Sequence, residues 1–220
     1  MKKVALALLT ASIPFVLLVL ALRLVTLPWF PRVVYALPFF PADAYGFDRA
    51  ERIALAGRCI DELNLPQGPL RLRQARLPDG SPAFTAGEIA HLDDVRRLYD
   101  RLTRVALLLG LVALALGRWL WREAGRQAVG KAVALGGWLS LGTLAGAALL
   151  MAVGWERFFV GLHELFFSAG TWRFPYESTL IRLFPELFWQ LGAAAVTLCW
   201  VLLAAGAIAL GRAWQRTSPR

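Results

Sequence analysis

The sequence predicts a mainly α-helical membrane protein with four transmembrane helices and with its N- and C-termini in the cytoplasm. Of its 220 residues, 58% are hydrophobic and 18% are charged, whereas soluble domains hold about 45–50% apolar and about 25% charged residues. Four nearly uncharged runs reach the roughly 20 residues with which a helix crosses the hydrocarbon core. A small extracytoplasmic α(+β) domain is expected between helices 1 and 2, and an aromatic interfacial segment between helices 3 and 4.

These runs set the expected organisation of the chain. The predicted transmembrane helices are residues 4–27, 102–121, 132–155 and 187–211. The other expected parts are the extracytoplasmic domain 28–101, the cytoplasmic loop 122–131, the extracytoplasmic interfacial segment 156–186 and the cytoplasmic tail 212–220. The first run is longer than the apolar core of a cleaved signal peptide, and no small-residue cleavage site follows it promptly. We therefore interpret it as a retained anchor.

The distribution of charge predicts the orientation. The formal net charge is +9, and the excess lies at the two ends of the chain and around 118–131, whereas 32–104 and 156–186 are nearly neutral. Basic residues concentrate on the cytoplasmic side of membrane proteins. The charge is therefore a topology signal and gives no support to nucleic-acid binding. Both termini are therefore expected in the cytoplasm, with both polar segments outside.

Local patterns predict the elements of the first outer segment. Asp48 is placed to cap a helix over 48–63, and the alternation of leucine and arginine over 70–73 indicates a short strand. Residues 85–88 read Thr-Ala-Gly-Glu, which is the sequence of a capping box. A helix is therefore expected to begin there and to continue into the second transmembrane span.

The two histidines of the chain both fall in the predicted outer segments, on apolar helix faces. His91 has Glu88 one turn before it and Asp94 nearly one turn after it. His163 lies at helical spacing from the rings of Phe159 and Phe167. Burial lowers a histidine pKa and a nearby carboxylate raises it, so an imidazole that titrates near neutral pH is expected, as acid–base chemistry requires. A structural role for each histidine remains the alternative.

Other kinds of site find little support. Residues 163–167 begin like the zinc-protease motif H-E-x-x-H, but Phe167 stands where the second histidine ligand belongs. No metal site and no cofactor are expected. Neither of the two cysteines is a convincing acyl-carrying nucleophile, and there is no G-x-S-x-G elbow or phosphate-binding loop. The residues alone thus indicate an outward-facing aromatic site with histidines, suited to a substrate with acyl chains in the membrane and a polar head outside.

The order of several short motifs resembles that of a family of small bacterial integral membrane proteins that includes the lipoprotein intramolecular transacylases. The resemblance extends from about Tyr45 to Trp189. The motifs that carry it are Tyr45-Gly46-Phe47 with Glu51-Arg52, then Phe84 and Glu88-x-x-His91-Leu92-x-Asp94-Val95, then Phe159-x-x-x-His163-x-x-Phe166-Phe167 and Trp172, then Leu180-Ile181-x-Leu183-Phe184-Pro185-x-x-Phe188.

This resemblance implies a location in the bacterial cytoplasmic (inner) membrane, a substrate and a reaction. The substrate would be a diacylglyceryl-modified lipoprotein in membrane lipid. The sn-2 acyl chain of its S-diacylglyceryl group would move to the α-amine of the same N-terminal cysteine, without a covalent acyl-enzyme, to give a lyso-form lipoprotein. The alternatives are a non-catalytic membrane scaffold or sensor that binds lipid or peptide, and a membrane acyl or phospholipid hydrolase. The oligomeric state stays open.

Physical reasoning about this implied reaction gives expected roles to named residues. His91 would be the base, with Glu88 or Asp94 fixing its tautomer, and His163 would supply a proton or stabilise the oxyanion, although these two roles could be exchanged. The remaining expected site residues would cradle the acyl chains or position the head group and the flanking peptide: Trp172, Tyr45, Arg52 and Arg182.

Overall fold

A computed structural model describes residues 1–216, and nine helices occur in that range. They are α1 (Lys2–Val25), α2 (Trp29–Val34), α3 (Arg49–Asn64), α4 (Gly68–Arg73), α5 (Ala86–Glu123), α6 (Gly125–Val153), α7 (Trp155–Phe166), α8 (Thr179–Leu183) and α9 (Glu186–Arg216). Four of them, α1, α5, α6 and α9, are long and apolar enough to cross a membrane. The four predicted spans are thereby confirmed as helices of suitable length and composition.

The secondary structure differs from the sequence-based expectations at three places. The predicted loop 122–131 is helical apart from Ala124, because α6 begins directly at Gly125 with φ 82°. Residues 212–216 of the predicted tail continue α9, whereas 217–220 lie outside the described residues. The β component of the outer segment is absent from 1–216, where the one recorded β-bridge joins Arg76 to Pro82.

The predicted strand at 70–73 belongs to α4. Pro69 stands in the first turn of this helix, a position that proline favours. At Gly68 an added Cβ would lie 2.1 Å from the carbonyl oxygen of Asp61, so the start of α4 packs directly on the end of α3. Leu72 is buried while Leu70 is 58% exposed. Two leucines over four residues did not distinguish a helix with one buried side chain from a strand.

The chain divides into two compact units. The first comprises residues 1–24, 102–155 and 195–220, and thus most of the four long helices. Its helices approach closely at glycines: an added Cβ at Gly137 would lie 2.8 Å from the carbonyl oxygen of Ala204, and one at Gly211 would lie 2.5 Å from that of Gly130. Small residues at such crossings let apolar helices pack without a bulky side chain between them.

The second unit comprises residues 25–101 and 156–194, and it contains both histidines. Two helices of this unit begin where the sequence predicts. Asp48 caps α3 and exchanges hydrogen bonds with Glu51 in a capping box, and the corresponding bonds of Thr85 and Glu88 precede α5. The core includes Leu55, Cys59, Leu72, Phe84, Leu92 and Leu183. The Cys59 thiol is buried, and burial raises its pKa far above the ordinary value, so it is a packing residue.

Candidate active site

His91 lies in the second turn of α5, and the start of this helix is fixed by a buried carboxylate. Glu88 is 1% exposed. Its Oε2 accepts hydrogen bonds from the backbone N–H of Thr85 at 2.7 Å and from the Thr85 hydroxyl at 2.9 Å. Its Oε1 accepts a bond from the N–H of Leu180 in α8 at 2.8 Å. Glu88 therefore ties the helix that carries His91 to α8.

His163 lies on α7, and a backbone hydrogen bond sets its tautomer. Its Nδ1 is 2.8 Å from the carbonyl oxygen of Phe159. Because a carbonyl oxygen only accepts, Nδ1 carries the proton in this bond. The Nε2 of the neutral ring then has a free lone pair.

The two histidine rings face each other within the second unit. Their centroids are 6.2 Å apart and their planes are inclined by 26°. Phe167 lies against both rings, with its centroid 5.0 Å from His91 and 5.6 Å from His163. The structure thus brings together the two residues that the sequence singled out.

Aromatic side chains surround this pair. Phe174 lies 5.7 Å from His91, centroid to centroid. Trp172 and Phe159 lie 4.8 Å and 4.1 Å from His163. Trp172 is therefore where the sequence-based hypothesis needs it, beside a histidine and among apolar rings.

Burial keeps both imidazoles neutral at neutral pH. The pKa of His91 is lowered to about 4 by desolvation and by the nearby charge of His163, with Asp94 opposing the shift. Desolvation also lowers the pKa of His163, against the effect of its hydrogen bond to the Phe159 carbonyl. The expectation that a carboxylate balances burial and leaves the pKa near neutral is wrong for His91, because desolvation is the larger effect.

The expected tautomer-fixing role of Glu88 or Asp94 is not confirmed. The oxygens of Glu88 accept from Thr85 and Leu180, and Asp94 forms an ion pair with Arg97, one turn later on α5. Within the described part of the chain, the Nδ1 atom of His91 is buried without a hydrogen-bond partner. Asp94 acts on His91 through its charge alone.

Arg182 makes a buried ion pair instead of presenting a free cation. Its Nη2 donates to Asp43 at 2.8 Å, and the two side chains are 11% and 3% exposed. The guanidinium carbon also lies 3.3 Å from the centroid of the Phe47 ring. Although burial opposes it, the hydrogen bond from Arg182 leaves the pKa of Asp43 below its ordinary value.

Arg52 and Tyr45 belong to the same neighbourhood. Arg52 is 5% exposed and donates to the carbonyl oxygens of Pro41 at 2.8 Å and Arg182 at 3.2 Å. The Tyr45 side chain is 52% exposed, and its carbonyl oxygen accepts from Arg182 at 3.2 Å. The two arginines hold the segment before α3 against α8, and the ring of Tyr45 is left exposed. The roles expected for the three residues at the head group and the flanking peptide stay predictions.

Comparisons with known proteins place this chain in a family. The model of the family described as lipoprotein intramolecular transacylase Lit matches residues 7–189. The chain belongs to this family. It is accordingly a multi-pass membrane protein of a transacylase family that acts on lipoproteins, and the resemblance drawn from its short motifs is confirmed.

Individual relatives agree in extent and fold. An uncharacterized protein of Aquifex aeolicus is 27% identical over 198 residues, covering 90% of this chain and 88% of that protein. The in meso structure of the membrane integral lipoprotein intramolecular transacylase Lit from Bacillus cereus has a TM-score of 0.69 at 20% identity, covering 97% of this chain and 95% of that one. A variant of that protein with one histidine replaced by arginine has a TM-score of 0.62 at 21% identity, with coverages of 97% and 92%.

Sequence reasoning missed two residues of this family member. Asp43 is the partner of Arg182, but 139 positions separate them, and no local pattern marks an isolated aspartate. Phe174 contacts His91 from a segment without regular secondary structure. The density of rings in 156–186 signalled an aromatic environment without indicating which ring would contact which histidine.

Proposed function

We propose that this protein moves the sn-2 acyl chain of an S-diacylglyceryl lipoprotein to the α-amine of the same N-terminal cysteine, which yields the lyso-form lipoprotein. The observation that carries the proposal is the histidine pair, with centroids 6.2 Å apart inside an enclosure of phenylalanine and tryptophan rings. The apolar rings suit contact with acyl chains. Two neutral imidazoles can accept and donate the protons that aminolysis of an ester transfers.

The reaction needs positioning and proton transfer. Donor ester and acceptor amine belong to one molecule, so the site must hold the amine nitrogen about 3–3.5 Å from the ester carbonyl carbon, which removes much of the entropic barrier. As the C–N bond forms, the amine loses a proton to a base. As the bond between the carbonyl carbon and the glycerol oxygen breaks, that oxygen gains a proton. One imidazole that accepts the first proton and returns it to the leaving oxygen balances both steps.

The hydrogen bonds favour His163 as this base. Its Nδ1–H donates to the Phe159 carbonyl, so its Nε2 is free to accept a proton. The pKa of His91 at about 4 keeps that ring neutral, and a neutral imidazole donates its N–H to the oxyanion of the tetrahedral intermediate. This assignment exchanges the roles first expected for the two residues, an exchange that the sequence left open. Trp172 and the surrounding phenylalanines would contact the acyl chains.

The orientation is part of the proposal. Both termini are placed in the cytoplasm and the histidine pair outside the bacterial cytoplasmic membrane, on the strength of the basic residues around 118–131 and at the chain ends. A thiol reagent that does not cross membranes is expected to label a cysteine introduced at Ser81 in intact cells and to leave one at Arg216 unlabelled. The opposite labelling would reverse the orientation.

A labelled substrate tests the reaction. The purified protein in lipid nanodiscs is given a synthetic diacylglyceryl lipopeptide with a deuterated sn-2 chain, mixed with an unlabelled lipopeptide of different peptide mass. Transfer within one molecule leaves the total mass unchanged, so fragment ions must locate the label. We expect it on the cysteine nitrogen of the original peptide only.

The other outcomes identify different activities. Deuterated fatty acid released to solution would indicate a hydrolase, and unchanged lipopeptide would favour a binding protein.

The matched control is Glu164→Gln on α7, since this side chain is 60% exposed and pairs only loosely with Arg173 at 3.7 Å. It is expected to convert the substrate at the wild-type rate.

A further inference from the structure

A cavity of about 370 Å³ lies in the second unit, formed by the turn before α5 and the segment before α8. We call it the Phe174 cavity; its walls include Leu77, Ala83, Phe174, Pro175, Glu177 and Ser178. Its volume is within the range of roughly 300–1,000 Å³ that ligand pockets have. The carboxylate of Glu88 also borders it, but its oxygens are occupied by Thr85 and Leu180 and form part of the wall.

The Phe174 cavity adjoins the histidine pair through a single ring. Phe174 lines the cavity and lies 5.7 Å from His91, centroid to centroid. A ligand atom packed on Phe174 from within the cavity would lie about 3.5–4.0 Å from that ring, so at most about 9–10 Å from the His91 ring. An extended chain advances about 3.3–3.6 Å per residue. The cavity is therefore about two to three residues away from a cysteine held at the histidines.

The two sides of the histidine pair differ in chemistry. Beyond His163 lie Phe159 and Trp172, which suit acyl chains. On the Phe174 side, the cavity combines the apolar Leu77 and Ala83 with polar groups. These include the exposed carboxylate of Glu177, the hydroxyl of Ser178 and the side chain of Arg182, which is paired with Asp43. A lining of apolar, hydroxyl and charged side chains suits a peptide better than a hydrocarbon chain.

We infer that the Phe174 cavity binds the polypeptide of the lipoprotein, specifically the second to fourth residues counted from the acylated cysteine, and so selects among lipoproteins by the size of these side chains. This inference rests on the proposed transacylase function. The chain that follows the cysteine must leave the site towards water, and the cavity lies at the distance that its first residues reach.

The test compares two reporter lipoproteins that differ only at these positions. One carries glycine and serine there and the other carries tryptophan. Glu177→Trp narrows the rim of the cavity from an exposed position, and Ala54→Trp, on the exposed side of α3 and outside the cavity, is the matched control. We expect Glu177→Trp to lower conversion of the tryptophan reporter about tenfold relative to the glycine–serine reporter, the size of effect that a steric contact in a pocket produces. Ala54→Trp is expected to convert both as the wild type does.

The outcomes separate the two proposals. If the wild type converts neither reporter to the N-acylated form, the proposed function fails, and the cavity assignment with it. If the wild type converts the reporters but Glu177→Trp lowers the conversion of both equally, or of neither, the cavity assignment alone is overturned.

A photoreactive phenylalanine derivative at the third residue of the reporter gives an independent measurement on the wild-type protein. Cross-links to 77–83 or 174–178 support the cavity, and cross-links confined to other segments overturn it.

Discussion

The charge coupling between the two histidines predicts that the pKa of His91 depends on residue 163. The perturbation is His163→Phe, which keeps a ring of similar size in place and removes its charge. With the ring centroids 6.2 Å apart, two unit charges repel by about 2.7 kcal/mol at an effective dielectric constant of about 20 and by about 0.7 kcal/mol in bulk water. Because about 1.4 kcal/mol corresponds to one pH unit, we expect the pKa of His91 to rise by about 0.5–2 from its value of about 4.

Nuclear magnetic resonance reads this coupling directly, since the protein has two histidines and selective histidine labelling gives two side-chain signals. Titration of the wild type is expected to show one ring that protonates near pH 4, and a ¹⁵N spectrum at neutral pH should show the Nδ1–H tautomer for His163. In His163→Phe the remaining signal should titrate at higher pH, and more so at low salt. A pKa of His91 that does not change in this variant would refute the facing arrangement of the two rings.

Three further predictions concern stability. The pKa of His91 is about 4 in the folded protein and 6.5 in its unperturbed state, so the unfolded chain binds more protons than the folded chain between these pH values. The thermal midpoint should therefore be highest above about pH 6.5 and fall as the pH drops towards 4. In His91→Gln the midpoint should fall less over the same range. Asp43→Asn leaves the guanidinium of Arg182 without its counter-charge and should lower the free energy of unfolding by about 1.5–3 kcal/mol. Thermal denaturation in detergent measures this loss. A loss no larger than that in the control Glu164→Gln would contradict a stabilising role for the ion pair. Glu88→Gln turns an amide NH₂ towards the donors of Thr85 or Leu180, which should cost about 1–3 kcal/mol, and an unchanged midpoint would show that the hydrogen bonds of Glu88 do not hold α5 to α8.

Features with a local cause were accessible from the sequence. Four apolar runs predicted the long helices, and the pattern of Asp48 with Glu51 and of Thr85 with Glu88 placed two helix starts, because a capping box is completed within four residues. The apolar faces of both histidines were also correct, since helical periodicity alone sets which residues share a face. From these pieces the pairing of His91 with His163 remained a hypothesis until the fold joined α5 to α7.

The errors arose where contacts with distant parts of the chain determine the structure around a residue. Glu88 reads as a neighbour of His91 one turn away, yet the N–H of Leu180, 92 positions later, takes one of its oxygens. Arg182 reads as an exposed interfacial cation until Asp43 is found beside it. Residues 70–73 form a helix because Gly68 lets α4 pack on α3. The segment 122–131 was expected to be a loop because it separates two apolar runs, but Arg122 and Lys131 are exposed on the surfaces of α5 and α6.

The N-terminal structure of a lipoprotein, from bacteria that otherwise carry only the diacyl form, tests the central claim most directly. Wild type, His91→Gln, His163→Gln and the control Glu164→Gln are expressed at matched membrane levels, and fragment ions locate the acyl chains because the diacyl and lyso forms have equal mass. The account predicts an N-acylated, S-monoacylglyceryl cysteine with the wild type and the control, and an unchanged diacylglyceryl cysteine with either histidine variant. Equal conversion by the histidine variants, or an untouched diacyl form with the wild type, would contradict it.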